Sequence, residues 1–326
     1  DSHPVDACWM DRPDGQSSAP YAHDIEFAGE ASDSKRRRVG AAVAKVGADA
    51  IVFANPNATA WLLNMRGNDV PHTPVALCRS VLHADGTAAA FFAGHEITTE
   101  LREHLGPDVE ISDEQHFGDY LRQLGDAGKS VLVNKAVCPG FVFDALAESG
   151  ATIREGDDPL ILFRGIKNDV EVQGARNAHI RDGVAMVKFL HWLEISWSDG
   201  ITEIDAVRKL EAFRAEDGAM RDISFDTISG SGPNGAIIHY RVSEASDRLL
   251  GNGELFLVDS GAQYEDGTTD ITRTIALGEQ PDERKDRFTR VLQGHIALAT
   301  ARFPADTSGY QLDTLARQPL WNAGLD

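Results

Sequence analysis

Between residues 35 and 165, short apolar runs alternate with stretches whose apolar positions recur at helical spacing. Residues 39–46 read as a helix ending near Gly47, and residues 50–54 as a buried strand. Strands follow at 75–82 and 87–92, a helix at 117–124, a short strand at 131–134 and a helix at 141–148. Alternation of this kind predicts an α/β layer domain. From about residue 166 the periods lengthen. Residues 169–194 carry apolar positions at Val172, Ala175, Ala178, Ile180 or Val184, Val187 and Leu190, which predicts one long helix. Thr202-x-x-Asp205 is an imperfect capping box opening a helix to about Arg214. Strand regions around 225–241 and 255–277 come next, then helices at 283–303 and from 311 to about 322. Residues 15–34 are polar and turn-rich and read as a linker.

The densest chemistry lies in residues 255–277, LFLVDSGAQYEDGTTDITRTIAL. β-Branched residues on both sides of Asp266-Gly267 predict a hairpin. Carboxylates beside apolar strands are costly to bury unless a cation or a hydrogen-bond network compensates them. Asp259 and Asp270 are therefore candidate metal ligands, and register decides whether they can share a site. A turn at Asp266-Gly267 leaves Asp259 roughly 13 Å from the residue facing Asp270. A turn at Glu265-Asp266 pairs Gly261 with Asp270 and puts Asp259 on the same face, a diagonal of roughly 7 Å. The second register is favoured, with Gly267 free to take a positive φ in a bulge. The alternative is a solvated hairpin decorated with turn-forming aspartates, and spacing alone does not separate the two.

DSGAQYEDGTTDITRT closely resembles the first half of the metal-binding region of cytosolic-type Xaa-Pro aminopeptidases (aminopeptidase P), members of the pita-bread metallopeptidase group. The resemblance extends to FDTISGSGPNGAIIHYR (225–241), KNDVEVQGARNAHIRDGVA (167–185), WLLNMRGNDVPHTPV (61–75) and PVDACWMDRP (4–13), so it covers nearly the whole chain. It implies an α/β creatinase-type N-terminal domain followed by the first half of a pita-bread (α+β) catalytic domain. The expected boundaries are 1–34 for the tail of a preceding domain and linker, 35–165 for the creatinase-like domain and 166–326 for the catalytic half.

The resemblance also implies roles. Asp259 and Asp270 match the first two ligands of a dinuclear site, suited to two divalent ions, manganese above all, with zinc or cobalt able to occupy it. His239 matches a histidine that handles protons and positions substrate. From its own neighbourhood His239 reads as the end of an apolar strand, 236–238, after the turn Gly232-Pro233-Asn234-Gly235. There a structural histidine bonded to a carbonyl is the competing reading. The implied substrate is a peptide with proline second, cleaved in the cytoplasm by a homodimer. A prolidase-like dipeptidase and a catalytically dead pita-bread binding module are the alternatives. Relatives continue past the position of Asp326 into further ligands. The chain is thus expected to be a fragment cut at both ends, inactive alone, with an apolar face around Val258 and Ile271 left exposed.

Composition narrows the field further. The formal net charge is −20, from 31 basic and 51 acidic residues, which disfavours nucleic-acid binding. No apolar run approaches the roughly 20 residues that span a bilayer. Cys8, Cys78 and Cys138 are odd in number and far apart, as expected for buried free thiols. The basic run Lys35-Arg36-Arg37-Arg38 follows a candidate N-cap at 32–34 and reads as a solvated helix face. Arg66 reads as half of a structural ion pair near a loop, with contact to substrate or a partner subunit as the alternative. Trp61 and His72 read as packing and loop stabilisation. His179, His191 and His295 read as surface or core histidines on helices.

Overall fold

The computed structural model describes residue 5, residues 8–11 and residues 18–326. Half of the 4–13 motif and residues 15–17 of the expected linker lie outside the described residues. The chain forms two compact units: residues 1–187, 211–226 and 260–271, and residues 188–210, 227–259 and 272–326.

The first unit contains a six-stranded mixed sheet. Its strands are β1 (Ala50–Phe53), β2 (Cys78–His83), β3 (Ala88–Phe92), β4 (Val109–Asp113), β5 (Ser130–Val133) and β6 (Thr152–Glu155), in the order β4-β3-β2-β1-β5-β6. Antiparallel β1/β2 and β2/β3 pairs join parallel β1/β5, β3/β4 and β5/β6 pairs. Residues of β1 alternate between two cores. Ile51 and Phe53 pack with Val39, Val43, Leu62 and Leu101, whereas Ala50 and Val52 pack with Phe117, Leu121, Val142 and Leu146. Helices on both faces explain why β1 is buried throughout and reads as a continuous apolar run. This is the expected α/β layer architecture. The helices Pro56–Leu63, Thr99–Leu105 and Pro159–Gly165 and the strands β4 and β6 are additions to the predicted set.

Several expectations need correction here. The stretch before residue 35 is part of the fold from Ser18 onward. Tyr21–Ala22 pairs antiparallel with Met65–Arg66, and the first long helix already starts at Ser32. The basic run is not a uniformly solvated face, because Lys35 and Arg36 are buried. Lys35 Nζ donates to the Trp61 carbonyl (3.2 Å) and to Asn64 Oδ1 (2.7 Å), and burial pushes its pKa down to about 8. Arg36 Nη1 donates to the Gly86 carbonyl at 2.5 Å. These acceptors make burial tolerable, and only Arg37 and Arg38 reach Asp33 and Glu30 at the surface. Strand β2 starts at Cys78, not at residue 75, since the Leu77 amide donates to Asp69 Oδ2 (2.6 Å) and leaves the ladder. All three cysteines are free as expected, but Cys8 is exposed.

The hairpin tip belongs to the first unit. Gln263 pairs with Thr268 and Tyr264 with Gly267, so the turn is Glu265-Asp266, the favoured register. Gly267 is not at positive φ, contrary to expectation. It is small for a different reason: a Cβ there would lie 3.1 Å from Ala178 Cβ and 3.2 Å from Ala175 Cα of the helix Asp169–Ser196. Gly174 on that helix meets the Asp266 carbonyl in the same way. Two glycines thus let the hairpin tip lie directly on the helix. The buried face of this helix includes Ala178, Asp182, Ala185, Met186, Phe189 and Leu193, while Ile180, Val184 and Val187 are exposed, which corrects the predicted stripe.

In the second unit, Ile228–Ser231 pairs antiparallel with the strand Glu254–Ser260, in register Ile228 with Asp259 and Ser231 with Phe256. Ile271–Leu277 completes that three-stranded sheet. The Thr202/Asp205 capping box is present, each backbone amide bonded to the other's side chain. Helices Asp282–Ala299 and Gly309–Trp321 meet where Gly294 faces the Ala316 carbonyl. Val258 is buried and Ile271 half-buried, contrary to the expected exposed face, while the exposed apolar side chains include Phe288, Val291 and Ile296 on the first of these helices.

Candidate metal centre

Asp259 stands in the second unit, opposite Ile228 at one end of the ladder. Its side chain is half-buried, and Oδ1 is enclosed with no hydrogen-bond partner. An enclosed carboxylate oxygen without a donor is costly unless a cation takes the donor's place, so this atom fits a metal ligand. Asp270 belongs to the first unit, is exposed, and directly precedes the strand Ile271–Leu277. Among the described residues no three His, Cys, Asp or Glu side chains form a group able to hold a metal ion.

His239 is not at the end of a strand. Residues Gly232–Ala236 form a 3-10 turn, Ile238 is 87% exposed, and His239 is exposed in the left-handed region at φ 53°. The cause is a polar knot that draws the chain away from the ladder. Buried Glu203 accepts from the Ser231 amide (2.6 Å), from Asn234 Nδ2 (3.0 Å) and from the Tyr240 hydroxyl (3.1 Å). Asn234 Nδ2 also bonds Tyr240 at 2.8 Å, and Arg248 braces the Ser231 carbonyl while pairing with Glu254 (2.9 Å). Burial raises the Tyr240 pKa. The knot fixes both ends of the 231–240 loop that presents His239.

The hairpin has its own anchor. Buried Asp182 accepts from Arg214 Nε (2.7 Å) and Nη2 (3.0 Å) and from the Tyr264 hydroxyl (3.0 Å). Arg181 adds a two-point pair with Asp266 at 3.0 and 3.2 Å. Gln263 Nε2 donates to the His72 carbonyl (2.9 Å) while the His72 ring bridges Asp222 (3.1 Å) and Asp226 (3.3 Å), a loop-stabilising role as expected. His179, His191 and His295 are exposed, as surface histidines. Glu203, Asp182 and Arg214 were not singled out by sequence reasoning. One signal was available: Asp182 falls at i+4 from Ala178 and i−4 from Met186, a carboxylate on the apolar stripe that requires a counter-charge.

Residues 11–171 match the Creatinase/Prolidase N-terminal domain and residues 173–326 match Metallopeptidase family M24. Aminopeptidase P2 of Arabidopsis thaliana is 37% identical over 353 residues, covering 99% of this chain and 50% of that protein. A probable Xaa-Pro aminopeptidase P of Laccaria bicolor is 39% identical over 329 residues, covering 99% and 51%. The chain spans about half the length of these relatives. The crystal structure of an X-prolyl aminopeptidase from Caenorhabditis elegans, described as a cytosolic enzyme with a di-nuclear active site, superposes with a TM-score of 0.91 at 32% identity. That match covers 100% of this chain and 54% of the other. A Xaa-Pro dipeptidase from Bacillus anthracis, 22% identical with a TM-score of 0.68, shares the fold. The chain thus carries a creatinase/prolidase-type N-terminal domain ahead of a Metallopeptidase family M24 segment of pita-bread fold.

Proposed function

We propose that this chain serves in a metal-dependent aminopeptidase that releases the first residue from peptides with proline second. The observation that carries the reading is the enclosed, unpartnered Oδ1 of Asp259 on a hairpin strand of an M24 segment. Asp259 and Asp270 are the proposed oxygen ligands, and hard carboxylates suit manganese. Divalent metal bound there supplies Lewis-acid polarisation of a scissile carbonyl and a more acidic water. His239, on its solvent-facing turn, holds or delivers a proton near the leaving amine. The Asp182 and Glu203 knots act earlier, by fixing the hairpin and the 231–240 loop before substrate arrives. The proposed boundary between the creatinase-like and catalytic domains falls near residues 165–166, and the proposed location is cytosolic, like that described for the nematode enzyme.

In an enzyme preparation turning over a proline-second tripeptide with manganese, Asp259→Asn and Asp270→Asn should each abolish bound metal and activity together. His239→Ala should keep the metal and lower kcat roughly 100-fold or more. Wild-type protein that cleaves dipeptides ending in proline but not the tripeptide would transfer the reading to a dipeptidase. Absence of metal binding would end it.

A further inference from the structure

Away from the hairpin carboxylates, Arg66 and Arg164 line one cavity of about 380 Å³ in the first unit, together with Asn57, Trp61, Thr73 and Gln263. No aspartate or glutamate lines it. Among the described residues neither guanidinium forms an ion pair, which corrects the expected structural pairing of Arg66. Its Nη1 merely donates to its neighbour's carbonyl, Met65 O, at 2.9 Å. Burial lowers the pKa of Arg66, so this cation stands partly desolvated without a contacting counter-charge. Glu265 and Glu171 act on Arg66 through space without touching it, Glu265 pairing with Arg221 (2.6 Å) and Glu171 accepting from the Asn168 amide (2.8 Å). Gln263 is a neutral carboxamide and does not balance the arginines, and its Oε1 accepts from Thr268 (2.6 Å).

Trp61 adds an independent sign. Its indole Nε1 is enclosed with no acceptor, and Lys35 Nζ lies 4.3 Å from the ring centroid, so a third cation borders the same wall. Guanidinium forks match carboxylate and phosphate oxygens in a two-point geometry that water does not reproduce.

We propose that this cavity binds a small oxyanion, a carboxylate or phosphate group held between Arg66 and Arg164. The site uses neither Asp259 nor Asp270, so it stands or falls separately from the peptidase reading. The test is isothermal titration of the chelator-treated 326-residue chain with inorganic phosphate at low ionic strength, where no metal can capture the anion. Saturable one-to-one binding should weaken roughly tenfold or more in Arg66→Gln and in Arg164→Gln, with Arg66→Lys between. Arg122→Gln, at an exposed pair with Asp119, should bind like wild type. Competition then separates the sources. Displacement of phosphate by a tripeptide free acid but not by its C-terminal amide assigns the site to peptide carboxylates, and displacement by neither assigns it to free phosphate. Either result supports an oxyanion site. No saturable binding by wild type, or wild-type affinity in folded Arg164→Gln, overturns the proposal. Arg164→Gln decides the matter should Arg66→Gln fail to fold.

Discussion

Asp182 in the first unit and Glu203 in the second are both buried carboxylates, at 2% and 0% exposure, and they are accommodated by opposite means. Asp182 faces a guanidinium that is itself fully enclosed, with the Tyr264 hydroxyl as a third donor. Glu203 has no cation in contact among the described residues. A backbone amide, a carboxamide and a phenol share its charge, and it opens the helix Glu203–Ala215, where the peptide dipoles favour an anion. An enclosed ion pair is brittle, since removing one partner strands the other, whereas a cage of neutral donors loses its members one at a time.

The largest expected effect follows from the brittle case. Arg214→Met should cost about 3–5 kcal/mol in denaturant unfolding of the first unit, and adding Asp182→Leu should recover most of that loss. A double variant as unstable as the sum of the singles would remove the contrast. Glu203→Gln should cost about 1–3 kcal/mol, because one carboxamide cannot accept from every donor that faced the carboxylate. Tyr240→Phe, which deletes one member of the cage, should cost about 0.5–1.5 kcal/mol, and a loss as large as that of Arg214→Met would show that the cage is as brittle as the pair.

An effect of similar size to that of Tyr240→Phe is a pH dependence confined to the first unit. Burial, reinforced by Arg66 and Lys35, holds the His23 pKa down at about 3. Its neutral form is the folded form. This contribution is therefore complete above the ordinary histidine pKa and is lost as pH falls from about 6.5 toward 3. Between pH 7 and 5.5 the loss should be about 1 kcal/mol, and His23→Gln should flatten that part of the stability profile. An unchanged slope in the variant would assign the acid sensitivity to other groups.

Legibility in the sequence followed periodicity and local chemistry. Strands such as Ala50–Phe53, the long helices, the Thr202/Asp205 box and the Glu265-Asp266 turn were readable, because apolar period and capping chemistry are local. Helix Thr99–Leu105 and strand Thr152–Glu155 were not, being short, polar and stabilised by what they pack on. The motif that singled out His239 was legible, but its backbone was not: Ala236-Ile237-Ile238 has the apolar look of a strand, and Glu203, three dozen residues away, holds the neighbouring loop out of the ladder. Likewise four consecutive basic residues look alike in sequence. Only carbonyls from Trp61 and Gly86, distant along the chain, separate the two enclosed ones from the two wetted ones.

The outer strands of the six-stranded sheet carry a further consequence. Each ends the ladder with a row of backbone donors and acceptors that another extended chain could pair with, the usual seed of sheet-to-sheet adhesion. Glu110 and Asp113 on β4, and Arg154 and Glu155 on β6, put charge along both rims, and β6 is only four residues long. An incoming strand would have to desolvate those charges, so the rims act as gatekeepers that keep neighbouring molecules from growing onto the sheet. Replacing Arg154 and Glu155 with valine should leave the folded unit intact yet turn that rim into a nucleus for fibrillar aggregates, visible as thioflavin-positive material at concentrations where the parent chain gives none.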